Sequence, residues 1–298
     1  MTFRSGFAAI VGRPNVGKST LLNQIIGRKV SIVADTPQST RTQIRGVRTT
    51  ADSQIVFLDT PGVHKPRTLL GERANERALA TLAEVDVVCF VIDARAPIGP
   101  GDRFVAERAN AAGTPIVLVC NKVDVATREQ IASQLAASAA ELGDFAAYVP
   151  LSARTGDGVD ALLAELVVRM PEGPQYYPAD VVTDAPPTFL AAELVREQLL
   201  AQLRDELPHS ITATTEEAED RTTKSGEPLL ALLVVVRVER ESQKGIVIGR
   251  KGSAIGAAAT AARRELEALL GTRVHLETRV KVDPDWQRRA GALDRLGL

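Results

Sequence analysis

The stretch GRPNVGKS, residues 12–19, follows directly on the apolar run FAAIV, residues 7–11. Its spacing is G-x-x-x-x-G-K-[ST], a phosphate-binding loop set between a strand and a helix. Gly12 and Gly17 permit backbone conformations and close approaches that a Cβ would block. Successive N–H groups along Arg13, Pro14, Asn15, Val16 and on to Thr20 then point at phosphates, proline alone lacking a donor. Lys18 can reach the β and γ phosphates, and the Ser19 hydroxyl can ligate Mg²⁺.

The loop does not choose a base, but three later segments do. DTPG, residues 59–62, ends the strand run QIVFL and offers Asp59 to Mg²⁺ through water; Thr60, Pro61 and Gly62 complete it. NKVD, residues 121–124, ends the run PIVLVC. The Asp124 carboxylate can accept two hydrogen bonds from guanine N1–H and its amino group, a donor pair adenine lacks. Asn121 can brace the loops, and the Lys122 stem can lie along the base plane. Ser152, Ala153 and Arg154 follow the run YVPL, and the Ala153 N–H can donate to guanine O6. Each segment is weak alone. In this order, at strand ends on one side of a sheet, they point to GTP.

Strand-like runs (FAAIV, QIVFLD, VDVVCFVID, PIVLVC) alternate with helical ones (STLLNQIIG, RANERALATLAE, REQIASQLAASAAEL, VDALLAELVVRM). This predicts an α/β domain, a mostly parallel sheet with helices on both faces, with TQIRGVRT as an antiparallel edge strand. Cys89 and Cys120 lie within apolar strands, as buried reduced thiols do. GFAAIV is too short to be a signal peptide, and no apolar stretch approaches the ~20 residues a bilayer requires. A cytoplasmic, monomeric protein is expected.

Five of the 16 prolines fall in PEGPQYYPADVVTDAPP, residues 171–187, which reads as a boundary. The predicted domains are 1–172, a linker at 173–187, and 188–298. The second begins with a helix over 188–207, followed by strands SITATTEE and EPLLALLVVVRVER, helix ESQKGIVI, the turn GRKG, helix SAIGAAATAARRELEALLG and strand TRVHLETRVKV. Charge is uneven: residues 180–243 carry 6 basic and 13 acidic residues, and 244–298 carry 11 and 6. A basic distal segment suits a polyanion.

The first segment set resembles the translation-factor-like GTPases. VIGRKGSAI, residues 247–255, resembles the core of a KH domain, and the α-β-β-α-α-β order is similar to the type II arrangement. Gly249 and Gly252 would let an RNA backbone approach, Arg250 and Lys251 would add positive charge, and Ile248 and Ile255 complete the motif. The strand LLALLVVVRV with Ile246–Ile248 would wall a groove for bases. The combination resembles the Era GTPases over nearly the whole chain, with HKP after DTPGV, DELPHSIT and the ending RVKV…W…LGL as further matches.

The resemblance implies a switch threonine on Mg²⁺ at Thr40, with Ser39 as the neighbouring alternative. Lys18, Thr40 and Gly62 would act at the transferred phosphate. Val63 stands where many GTPases place a water-orienting glutamine, which implies slow turnover raised by a cation or partner. Asn15 implies a K⁺ near the loop. GTP and GDP, small-subunit ribosomal RNA near its 3′ end, the small ribosomal subunit during maturation, and a peripheral membrane contact are the implied partners. Two departures stand out: the acidic stretch EEAEDRTTKSGEP, and Asp285 where many relatives have glycine before the terminal Trp286. A rival reading is an RNA-binding assembly protein holding GTP as a static ligand. A metabolic kinase or ATPase leaves NKVD and GRKG without a purpose.

Overall fold

The computed structural model describes residues 2–34, 40–63, 65–203 and 210–298. Ser39, His64 and most of DELPHS lie outside the described residues. The chain divides into two compact units, one holding residues 1–31, 40–67 and 71–184, the other 32–39, 68–70 and 185–298.

In the first unit the order is β1 (Arg4–Val11), α1 (Lys18–Ile26), β2 (Ile44–Thr49), β3 (Ser53–Asp59), α2 (Leu69–Ala80), β4 (Val87–Asp93), α3 (Pro100–Ala111), β5 (Ile116–Asn121), α4 (Arg128–Glu141), β6 (Ala147–Pro150) and α5 (Val159–Val167). The first two residues of α2 belong to the second unit. The sheet runs β2-β3-β1-β4-β5-β6, all parallel except β2, the antiparallel edge. Every residue of β3 and β5 is buried, which is why these strands read as unbroken apolar runs rather than alternating ones. Cys89 and Cys120 are buried and unbridged, and burial pushes both thiols up to about 12, so they are packing groups. Helix α3 is the element the sequence reading does not assign. It opens on Pro-Gly, which reads as a turn, yet Pro100 sits at the first helical turn and Asp102 Oδ2 accepts the Gly99 N–H at 2.9 Å.

The proline-rich segment is strapped to this unit through residue 184. Gln54, fully buried on β3, accepts the N–H groups of Tyr176 (2.7 Å) and Tyr177 (3.0 Å) and donates to Tyr177 O (2.8 Å). Val47 N–H donates to Val182 O, and Arg45 pairs with Asp184.

The second unit comprises α6 (Pro187–Gln202), β7 (Thr212–Thr222), β8 (Pro228–Val238), α7 (Glu241–Ile248), α8 (Ser253–Leu270), β9 (Arg273–Val282) and α9 (Ala290–Leu296). The sheet order is β7-β8-β9, antiparallel then parallel. Helices α6 and α8 supply Leu194, Val195, Ala258, Ala262 and Leu266 to a core shared with Val234, Val236 and Ile32. Two boundaries differ from expectation. Helix α6 stops at Gln202, with Leu203 already extended, and β7 runs through the acidic stretch to Thr222. A second cluster gathers Trp286, Leu293, Leu298 and Leu70. Trp286 is fully buried and donates through Nε1 to Ser210 O at 3.1 Å. Asp285, just before it, has φ +50, a left-handed turn that explains why glycine suits this position.

Candidate nucleotide site and basic turn

The loops after β1, β3, β5 and β6 meet at the carboxyl end of the sheet, where ligands bind in open α/β folds. Gly12 and Gly17 have φ +150 and +98. A Cβ on Gly12 would lie 2.3 Å from Val91 O, and one on Gly17 2.3 Å from Asn121 Nδ2, so both positions require glycine for space and for conformation. Asn15 is left-handed too, at φ +63. Gly62 closes against the loop: a Cβ there would lie 2.9 Å from Pro14 Cα. Thr60 and Pro61 are buried beside it, and Thr60 Oγ1 donates to Ile10 O at 2.9 Å.

Lys18, at the start of α1, is buried and donates from Nζ to Gly12 O (3.1 Å) and Arg13 O (2.9 Å). Burial pushes its ammonium down to about 8, against the pull of nearby Asp59. Asp59 is fully buried, and burial raises its carboxyl above the usual range, opposed by Lys18 and by hydroxyls. Ser19 Oγ donates to Asp59 Oδ2 at 2.7 Å and lies 3.0 Å from Thr40 Oγ1, which is 3.5 Å from the same oxygen. Asp59 Oδ1 is buried with no hydrogen-bond partner among the described residues. Three oxygens thus converge beside an orphaned carboxylate oxygen, the donor set a hard divalent cation takes.

Asn121 Nδ2 donates to Val16 O at 2.7 Å, and its Oδ1 accepts the N–H groups of Lys122 and Ala153. It therefore braces the phosphate loop, NKVD and SAR at once. The Ala153 N–H, expected to face a purine oxygen, is used here by Asn121. Lys122 reaches Asn15 O at 2.7 Å and Asp93 at 2.8 Å. Asp124 accepts from Ser152 Oγ at 2.7 Å and pairs with Arg154 at 2.5 Å; the serine first, then the arginine, holds its carboxyl below the usual range. Val63 is 2% exposed in the core and carries no group that could orient water.

Sequence reasoning missed several supports. Arg13 pairs with fully buried Asp102 at 2.8 Å. Asp93 anchors Lys122, and Ser31 Oγ donates to Asp59 Oδ2 at 2.8 Å. Only Asp102 carries a local signal, its place two residues after Pro100 at a helix start.

In the second unit α7 ends at Ile248, and Gly249 has φ +71. Arg250 and Lys251 are exposed, Lys251 has φ +52, and Gly252 has φ +80 before α8 begins at Ser253. A Cβ on Gly249 would lie 2.8 Å from Ala254 N, whereas among the described residues nothing lies within 4 Å of one on Gly252. The expected groove wall is smaller than the sequence suggests. Residues 231–236 of β8 are buried, Ile248 and Ile255 are half-buried, and Ile246 is 55% exposed.

These two sites define a class: a P-loop GTPase domain followed by a KH domain. Profile comparisons agree, with a 50S ribosome-binding GTPase family matching residues 7–122 and a KH domain matching 206–287. The chain is 49% identical to the GTPase Era of a Nocardioides species, covering 99% of this chain and 96% of the relative. It is 47% identical to that of Mycolicibacterium paratuberculosis, covering 99% of each. Among solved structures, an Era variant from Aquifex aeolicus bound to GDP and AlF₄⁻ matches with TM-score 0.93 at 36% identity over 99% of both chains. A crystal structure of Era with MgGDPNP and nucleotides 1506–1542 of 16S ribosomal RNA matches with TM-score 0.94 at 36% identity, again over 99% of both. The chain belongs to the Era family, and it is a GTPase.

Proposed function

We propose that the chain is a GTP-dependent switch that binds small-subunit ribosomal RNA near its 3′ end and acts in maturation of the small ribosomal subunit. The observation that carries this is the exposed Arg250–Lys251 turn between two left-handed glycines at the start of α8. Such a turn admits a sugar–phosphate chain and meets it with two cations. The Era neighbour bound to 16S nucleotides supports the choice of RNA.

In this reading Asp124 selects guanine, while Lys18, Thr40 and Gly62 act at the transferred phosphate. Ser19, Thr40 and Asp59 hold Mg²⁺, which supplies positive charge against the β and γ phosphates when bound. Val63 leaves the attacking water without a side-chain guide, so intrinsic turnover is slow, and a K⁺ beside Asn15 or bound RNA raises it. The switch follows the chain itself. Ser31 hydrogen-bonds Asp59; the next residue, Ile32, is in the KH core, and Val33 N–H donates to Glu197 on α6 at 2.8 Å. Ser31 and Ile32 share one peptide bond, so a rearrangement at Asp59 has a covalent route along the chain. We place the protein in the cytoplasm as a monomer, with peripheral membrane contact; among the described residues no helix is long and apolar enough to cross a membrane.

The test is RNA affinity for a 3′-end fragment with GDP against a non-hydrolysable GTP analogue, with single-turnover hydrolysis in K⁺ and in Na⁺. Tighter RNA binding in the analogue form is expected. Equal affinity in both forms rejects the switch.

A further inference from the structure

Ser31 lies outside every motif of the nucleotide site, on the stretch after α1, and is 1% exposed. Its Oγ donates to Asp59 Oδ2 at 2.8 Å. Its backbone is fixed independently by Asn23, on α1. Asn23 Oδ1 accepts the N–H groups of Val30 and Ser31, both at 2.9 Å, and Nδ2 donates to Ser31 O at 2.7 Å. Three hydroxyls therefore surround one carboxylate oxygen, and they are not equivalent. Ser19 and Thr40 are the candidate cation ligands, and Thr40 is only marginally within reach of Oδ2 at 3.5 Å. Ser31 is tethered elsewhere, and among the described residues its hydroxyl meets only Asp59.

We propose that Ser31 is a positioning residue of the Mg²⁺ site: it pins Asp59 Oδ2 and leaves Oδ1, buried and without a partner among the described residues, as the atom available to the cation. This rests on the Mg²⁺ reading above. A carboxylate with one oxygen fixed by two good donors cannot rotate to offer both oxygens to phosphate or to Lys18. Removing the Ser31 donor frees that rotation. The cation then meets a mobile carboxylate, while contacts to the base and sugar are untouched.

The experiment measures release of a fluorescent GDP analogue from the full chain across a Mg²⁺ titration and in EDTA. In the unmodified protein Mg²⁺ slows release. Ser31→Ala is expected to raise the Mg²⁺ concentration for half-maximal slowing about tenfold, the loss of one hydrogen bond to a charged group, with release in EDTA within about twofold of the unmodified protein. An unchanged Mg²⁺ half-point in Ser31→Ala overturns the role of Ser31 and leaves the Mg²⁺ site standing. Release that ignores Mg²⁺ in the unmodified protein overturns the Mg²⁺ reading and the proposal with it. Faster release in EDTA by the same factor as in Mg²⁺ marks Ser31 as packing only and also overturns it. Where Ser31→Ala fails to fold, Ser31→Cys, which keeps the volume and replaces the hydroxyl by a weak donor, carries the same expectations.

Discussion

Asp124→Asn should convert a guanine reader into a xanthine reader with little effect on folding. The wild-type carboxylate is 9% exposed and already oriented, with Oδ1 held by Ser152 at 2.7 Å and Oδ2 paired with Arg154 at 2.5 Å. In the variant the remaining oxygen stays with Ser152, whose hydroxyl already accepts the Thr155 N–H at 3.2 Å and has its proton left to donate. The new amide nitrogen then takes the Oδ2 side, where Arg154 offers only donors and must leave. That departure costs little, since the Arg154 side chain is 71% exposed and exposed pairs contribute about 0–1 kcal/mol. Against guanine, two hydrogen bonds to a charged acceptor are lost, each about 1.5–3 kcal/mol, and two donors now face each other. The sum, about 3–6 kcal/mol, is a loss of GTP affinity of roughly two to four and a half orders of magnitude. Xanthine carries a carbonyl where guanine carries its amino group and accepts from the new amide, so xanthosine triphosphate should recover most of the loss. Calorimetric titration with both nucleotides, beside a thermal melt of the free protein, reads both halves. A variant that keeps its preference for GTP refutes the role of Asp124. A variant whose melting point falls by more than a few degrees refutes the account of Arg154 as an exposed, dispensable partner.

Three further outcomes follow from the geometry. Replacing Arg250 and Lys251 together with Ala should weaken RNA binding and flatten the slope of log affinity against log salt by about 1.4, about 0.7 per phosphate contact on single strands; an unchanged slope in filter binding removes the turn from the interface. Lys18 sits at about 8 rather than 10.5, so the cost of burying its charge is full below pH 8 and fades as pH rises toward 10.5, and the free protein should gain stability across that window. Phosphates restore the charge, so GTP binding at about pH 8.5 should take up a proton and weaken with rising pH; calorimetry in two buffers of different ionisation enthalpy showing no uptake contradicts this. Gln54→Leu strands two N–H groups and a carbonyl of the strap at Tyr176 and Tyr177, and should cost about 2 kcal/mol in urea unfolding and speed amide exchange there; unaltered exchange would mean the strap is held by other contacts.

The first unit was legible because its chemistry is local. Four short segments carry the candidate nucleotide residues; the first three follow strands that are largely buried, so apolar run and polar terminus appear side by side in the sequence, and the fourth follows the half-exposed edge strand β6. Thr40 needed the family resemblance, since a loop threonine has no pattern of its own. The supports were illegible for a matching reason. Ser31 meets Asp59 across 28 residues, and Arg13 meets Asp102 across most of two βα units, so neither pair leaves a periodic or spaced trace. The proline-rich segment misled in the same way. Composition marks residues 173–187 as a linker, while backbone groups of Tyr176, Tyr177 and Val182 are matched to one buried glutamine on β3 and to the edge strand β2, partners composition cannot reveal.

The second unit fails at its boundaries for a different physical reason, which concerns who supplies the apolar surface. The stretch EEAEDRT has no alternation and few strand-favouring residues, yet it completes β7. It does so because β8 beside it is apolar throughout, from Leu229 to Val236, and needs a hydrogen-bonding neighbour on its antiparallel side whatever that neighbour's side chains are. An edge strand exposed to water can meet that need with charged residues, and charge there discourages pairing with another chain. The register shifts between Thr215 and Glu217, and Glu216 uses it to reach Arg237 at 2.5 Å and Lys281 at 2.8 Å, tying all three strands by one carboxylate. Acidity in this hairpin is therefore a property of the sheet's edge and of one carboxylate paired across two strands. It sits on β7, while the basic residues of the glycine turn sit between α7 and α8. In the KH unit the four acidic residues of β7 thus close the edge of a sheet, while Arg250 and Lys251 lie exposed on a turn.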